Sequence, residues 1–311
     1  MPPKRPGAFY KVLKDWGEWA AAAKDLDVYY NTISQKEALN SGSEITRQEY
    51  LLLKVIWPGL RSGTDRELKE LRLYQYFQKA EEWLDSYPPY SKYLKSIQEK
   101  GIVEHFHPNK PNSDPFSLGV FELPRTEQLQ ILKASMTRGK IDEDTVNASF
   151  IAFLSAITVR NRDGRCFWTP HRAGLTAKFK KSSIEARLDG YLASRSTSEV
   201  RALIEVKPQK RERHEPYVSM QETAEMVSWL PPSSDRAYLI SQNGMCLYLT
   251  VAEFGQEWLD YLHGDRRTLP QKDFMKMMHF GAWDIDEASD IDRFAKLILA
   301  IVLRVSDEDK N

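Results

Sequence analysis

Two neighbouring stretches decide the fold: Glu185-Ala-Arg-Leu-Asp-Gly-Tyr-Leu-Ala-Ser194 and Val200-Arg-Ala-Leu-Ile-Glu-Val-Lys207. Both are rich in apolar residues, and a polar turn separates them, a pattern that predicts two adjacent β-strands. Asp189 lies in the first stretch, and Glu205 and Lys207 lie at the end of the second. Residues two apart in a strand share a face. Glu205 and Lys207 therefore point the same way, and Asp189 can converge with Glu205 if the strands pair.

These carboxylates predict a site for a hard divalent cation. Mg²⁺ or Mn²⁺ prefers oxygen ligands, which Asp189, Glu205 and the backbone carbonyl of Val206 can supply. Such a cation lowers the pKa of a bound water and polarises a phosphoryl group, while Lys207 can orient that water or neutralise developing charge. A second interpretation fits the same spacing equally well: a structural polar patch in which Lys207 forms a salt bridge with the carboxylates.

The rest of the chain predicts an α/β (α+β) protein with a central mixed sheet flanked by helices. Residues 1–100 show helical periodicity, including a capping box at Thr64-Asp-Arg-Glu67, and residues 101–141 have the composition of a linker or loop. Residues 142–305 are predicted to form one domain that begins with helix, three strands, helix and two strands. Residues 306–311 are predicted to be a disordered tail.

Charge is balanced over the whole chain but not along it. Lys plus Arg and Asp plus Glu both number 44, so the 311-residue chain has a formal net charge of zero. Residues 171–213 contain eleven Lys or Arg and five Asp or Glu, a local excess of six positive charges that favours a polyanion such as nucleic acid as partner. The candidates for phosphate contacts are Lys178, Lys180, Arg187, Lys210 and Arg211.

The chain has the features of an intracellular protein, nuclear or cytoplasmic. Cys166 and Cys246 lie far apart in apolar surroundings and are predicted to be reduced, buried thiols. No apolar segment follows the basic N-terminus, so no signal peptide is expected, and no run is long enough to predict a membrane span.

The motif Arg-Leu-Asp189-Gly followed by Ile-Glu205-Val-Lys207-Pro, with fifteen residues between Asp189 and Glu205, resembles the PD-(D/E)XK nuclease superfamily, which has the restriction-endonuclease-like fold. The run up to Trp229 is similar to uncharacterised fungal proteins of that superfamily. The resemblance implies an αβββαβ core and Mg²⁺- or Mn²⁺-dependent hydrolysis of nucleic acid, with DNA favoured over RNA. It also implies that Asp189 and Glu205 bind metal, that Lys207 is the catalytic lysine and that Gln221 supports the site.

The helix before the sheet departs from the family pattern. Many members place a glutamate there, whereas this helix is almost wholly apolar, and Glu143 in its first turn is the nearest candidate for a further metal ligand. Glu143 also fits a purely structural role, as a negative charge at a helix N-terminus that the helix dipole favours. The alternative function is therefore a catalytically degenerate nuclease fold that serves as a nucleic-acid- or protein-binding module.

Overall fold

The computed structural model describes residues 11–99, 118–137, 141–161, 163–230 and 236–309. The β-strands of these ranges are β1 (Val55–Ile56), β2 (Cys166–Thr169), β3 (Gly174–Lys178), β4 (Ser183–Arg187), β5 (Gly190–Ser194), β6 (Val200–Lys207), β7 (Arg236–Asn243), β8 (Cys246–Glu253) and β9 (Met275–Asp284). Seven of them form one mixed sheet in the order β1-β9-β8-β7-β6-β5-β2, and β3 and β4 form a separate hairpin. The predicted fold class, a mixed sheet flanked by helices, is confirmed.

Helices cover both faces of this sheet. The α-helices of the described ranges are α1 (Trp16–Asp25), α2 (Arg47–Leu52), α3 (Asp65–Glu70), α4 (Tyr74–Asp85), α5 (Pro88–Gln98), α6 (Glu122–Met136), α7 (Glu143–Thr158), α8 (Tyr217–Ser228), α9 (Gln256–His263) and α10 (Ala288–Glu308). Helices α3–α7 and α10 contribute to the hydrophobic core on one face. Helices α1, α2, α8 and α9 contribute to the core on the other.

Strand β6 shows how its sequence divides between the two cores. Ile204 and Val206 are buried in the core of α7 and α10, whereas Leu203 is buried in the core of α8. Because side chains alternate along a strand, Glu205 and Lys207 lie on the α8 face. The apolar run of β6, buried on both sides, thus presents its two charged residues to a single helix.

The strand pairing around β6 determines which elements meet at its carboxyl end. Strand β5 pairs antiparallel to β6, with Gly190 opposite Ile204, and β7 pairs parallel to it, with Ser241 beside Glu205. A parallel pair needs a crossover, and α8 provides it. The elements from α7 to β7 follow the order helix, strand, strand, strand, helix, strand when the β3–β4 hairpin is set apart.

Three of the predicted segments contain secondary structure that the sequence did not indicate. The predicted helical region of residues 1–100 also contains β1, which pairs parallel to β9 at the sheet edge. The predicted linker of residues 101–141 contains helix α6; its residues 101–117 and 138–140 lie outside the described ranges. Helix α10 continues into the predicted tail as far as Glu308, because this last turn packs on the body of the protein and Arg201 pairs with Asp309. The capping box at Thr64 is confirmed.

Helix α10 is the longest helix in the described part of the chain, with 21 residues. Neither it nor any other helix described here is long and apolar enough to cross a bilayer.

The first residue of β5, Gly190, directly follows Asp189 and lies where a larger side chain does not fit. A Cβ atom at this position would lie 2.6 Å from the backbone carbonyl oxygen of Thr169 and 3.1 Å from the Ile151 side chain. Overpacking of this kind costs about 1–3 kcal/mol, so Gly190→Ala is expected to lower the free energy of unfolding by about 2 kcal/mol. Urea unfolding measures this. Gly174→Ala is the control, since a Cβ there has no atom within 4 Å, and equal stability of both variants would contradict the prediction.

Candidate active site

The candidate site lies at the carboxyl end of β6, between the first turn of α7 and the middle of α8. Asp189 directly precedes β5, and its backbone amide donates to the carbonyl of Ile204 at 3.2 Å. Its carboxylate Oδ2 accepts a hydrogen bond from the backbone amide of Val206 at 3.0 Å. These two bonds hold Asp189 beside Glu205, so the structure brings together the two carboxylates that the sequence paired.

Glu205 is held by donors from both its own strand and α8. Lys207 Nζ contacts Glu205 Oε1, and Gln221 Nε2 donates to the same oxygen at 2.7 Å. Gln221 Nε2 also donates to Glu225 Oε1 at 2.8 Å. The predicted catalytic set of Asp189, Glu205, Lys207 and Gln221 therefore forms one cluster, which continues to Glu225.

Both predicted metal-binding carboxylates retain an oxygen without a hydrogen bond to any described residue. These are Glu205 Oε2 and Asp189 Oδ1, the latter 3.8 Å from Arg172 Nε. The amide and carbonyl of a strand residue point to the same side. Since the Val206 amide points to Asp189, the Val206 carbonyl is directed to that side too, and its role as a metal ligand stays a prediction.

The electrostatics of the cluster favour a cation. Glu205 is only 2% exposed, and burial raises the pKa of its carboxyl well above the ordinary value, an effect that the charges of Glu225 and Asp189 reinforce. Burial alone would lower the pKa of Lys207, but the Glu205 carboxylate outweighs it and the pKa is raised. The raised pKa keeps Lys207 charged. The acidic side chains of Glu205, Glu225 and Asp189 repel one another when they are ionised, and a divalent cation would offset that repulsion.

Helix α7 contributes two polar residues from its first turns. Asn147 Nδ2 donates to the backbone carbonyl of Asp189 at 2.9 Å and so fixes the chain where it enters β5. Burial raises the pKa of Glu143, with Lys207 lowering it and Asp189 raising it. Glu143 thus lies close enough to be influenced by both charges, and its role as a further metal ligand stays a prediction.

The predicted phosphate-binding residues divide into exposed and buried ones. Lys178, Lys180, Arg187 and Lys210 are exposed. Arg211 is only 5% exposed, and its guanidinium binds both oxygens of Glu222 at 2.7 Å. The prediction that Arg211 contacts nucleic acid was wrong, because a buried guanidinium already paired in this way has no face left for a phosphate.

The donor set suits a hard cation with few protein ligands. Within the described ranges, no group of three or more His, Cys, Asp or Glu side chains is arranged to hold a metal ion. Mg²⁺ commonly takes only one or two carboxylates and completes its coordination with water and substrate phosphate. Asp189 and Glu205, each with an oxygen to offer, fit that requirement, and Glu225 Oε2 is a further buried carboxylate oxygen without a hydrogen bond.

The sequence interpretation missed Glu225 and the role of Asn147. Glu225 follows Gln221 by four residues, a spacing that places both side chains on one face of a helix. This periodicity was the available signal. Nothing local marks Asn147, because its partner is a backbone carbonyl of a distant segment.

Neither a scan against protein-family models nor a search of curated proteins gave a match for this chain.

Proposed function

We propose that this protein is a Mg²⁺-dependent nuclease that hydrolyses phosphodiester bonds, with DNA favoured over RNA as substrate. One observation carries the proposal: Asp189, Glu205 and Lys207 meet at the carboxyl end of β6, and each carboxylate has an oxygen that accepts no hydrogen bond from a described residue. The order of elements from α7 to β7, which agrees with the αβββαβ core of the resemblance, supports it further.

Each residue has a separate task in this proposal. Asp189 and Glu205, with the Val206 carbonyl, would hold Mg²⁺, which when bound activates a water and polarises the scissile phosphate. Lys207 remains charged and offsets the negative charge that develops on the phosphoryl oxygens. Gln221 keeps Glu205 in position.

The exposed cations define a route for the rest of the substrate. Arg187 lies at the base of the β3–β4 hairpin, opposite Gly174, and Lys178 lies near its tip, opposite Ser183. Lys180 follows in the turn. These side chains would contact phosphates that flank the scissile bond, so binding should weaken as salt rises.

The alternative, a nucleic-acid-binding module without turnover, also has an observation in its favour. Lys207 occupies Glu205 Oε1, as a structural salt bridge would. Under this alternative the protein binds DNA but does not cleave it, whichever divalent cation is added.

The test is cleavage of single- and double-stranded DNA and of RNA by the full chain with Mg²⁺, Mn²⁺ or EDTA. Asp189→Asn and Glu205→Gln are expected to lower the cleavage rate by at least about 100-fold, with their folded state checked by circular dichroism. Glu185→Gln, an exposed carboxylate on β4, is the control and should cut normally. Undiminished cleavage by both site variants would overturn the proposal, and binding without cleavage by the wild type would establish the alternative.

A further inference from the structure

Glu225 is a buried carboxylate that the proposed mechanism does not use. It lies on α8 and is 1% exposed. Its Oε1 accepts a hydrogen bond from Gln221 Nε2 at 2.8 Å, and its Oε2 is buried without a hydrogen-bond partner. Burying a carboxylate with so few donors is costly, and burial raises the pKa of Glu225 to about 8. An apolar residue would fill this position in the core at lower cost.

The Gln221 amide connects Glu225 to the candidate metal ligand. A side-chain amide nitrogen carries two hydrogens, and Gln221 directs one to Glu205 Oε1 and the other to Glu225 Oε1. With the amide turned over, its oxygen would face the oxygens of both glutamates. Glu225 therefore determines which end of the amide faces Glu205.

This orientation decides which oxygen of Glu205 is available. Oε1 is held from two directions, by Lys207 Nζ and by Gln221 Nε2, which leaves Oε2 without a hydrogen bond to any described residue. Without its second acceptor, the Gln221 amide could rotate, and Glu205 would lose one of the two donors that fix it. Residues that orient metal ligands in this way typically change metal affinity 10- to 100-fold when replaced.

We propose that Glu225 is a positioning residue of the site: it fixes the Gln221 amide, which holds Glu205 Oε1 so that Oε2 is presented to the divalent cation. This inference rests on the proposed function. It assigns Glu225 an effect through its accepting oxygen rather than through its charge.

Two replacements separate these effects. Glu225→Met removes the acceptor and the ionisable group at similar volume, whereas Glu225→Gln removes the ionisable group but keeps an acceptor for Gln221. Mn²⁺ affinity of the full chain, measured by calorimetry, is expected to fall about tenfold in Glu225→Met and to stay within about twofold of wild type in Glu225→Gln. The ¹⁵N-detected side-chain amide of Gln221, measured without metal, should show two protected protons in the wild type and in Glu225→Gln only.

The control is Val227→Ala, a buried apolar truncation on the same helix, which should lower stability without changing Mn²⁺ affinity. Unchanged affinity in Glu225→Met would overturn the inference, as would an equal loss in both variants, since that result would assign the effect to charge. A wild-type protein that binds no Mn²⁺ would overturn the proposed function and this inference with it. Normal Mn²⁺ binding by the wild type and by Glu225→Met would overturn this inference alone.

Discussion

Lys207→Met is expected to lower the cleavage rate by at least about 100-fold while leaving Mn²⁺ affinity unchanged or higher. Lys207 Nζ contacts Glu205 Oε1 and is the cation nearest to that carboxylate among the contacts described. In the proposed reaction it would offset charge on the phosphoryl group, so its loss is expected to slow the chemistry. Its loss also removes one of the two donors to Glu205 Oε1, but it removes at the same time a positive charge that repels the divalent cation. We expect the second effect to be at least as large as the first, so that metal binding does not weaken.

Methionine keeps the length of the lysine stem, so the comparison isolates the charge. Cleavage is measured by single-turnover kinetics with excess enzyme, and metal binding by calorimetry with Mn²⁺. Lys92→Met, at an exposed position on α5, is the matched control and should change neither quantity. A parallel loss of rate and Mn²⁺ affinity would contradict the prediction, because it would show that Lys207 serves only to hold Glu205 in place.

The paired carboxylates were predictable because their signal is local. Two-residue periodicity places Glu205 and Lys207 on one face of β6. An apolar strand that ends in charged residues indicates a site at the end of that strand. The structure shows that this strand lies inside a mixed sheet, between β7 and β5, and that Asp189 lies beside it. Gln221 was predictable from its resemblance to the family pattern, and the structure places it against Glu205.

Elements that depend on distant partners were not predictable. Strand β9 contains three methionines and one glycine. It lies far along the chain from β1, with which it pairs. Its pairing is a tertiary property that local periodicity does not report. The strand predicted across Asp189 is interrupted, because β4 pairs with β3 in a hairpin while β5 joins the main sheet. Asp189 lies at this change of partner.

Burial of charged residues was the other property that could not be predicted from the sequence. Arg211 follows Lys210 in a basic loop, and such a segment is expected to be solvated. Its burial depends on Glu222, which lies on the next helix and approaches only when α8 packs on the sheet. Exposure of a charged side chain thus depends on whether the fold supplies a buried partner.

Arg211→Met is expected to have the largest effect on stability, a loss of about 3–5 kcal/mol in the free energy of unfolding. The Arg211 guanidinium binds both oxygens of Glu222 at 2.7 Å and pairs through Nε with Glu215 at 2.6 Å. It also lies over the rings of Trp57 and Tyr248. Removing it leaves the fully buried Glu222 without its cation, the situation in which a broken buried ion pair costs most.

The double variant Arg211→Met, Glu222→Leu should recover most of that loss, because it removes the fully buried charge of Glu222. The other partner, Glu215, keeps partial exposure and a hydrogen bond from Ser219 at 2.9 Å. Arg213→Met, two residues away and exposed, is the control and should remain within about 0.5 kcal/mol of wild type. Urea unfolding of the three variants measures these differences. Equal stability of Arg211→Met and Arg213→Met would contradict the prediction. A double variant no more stable than Arg211→Met would instead show that Glu215 and the aromatic contacts, rather than the charge of Glu222, account for the loss.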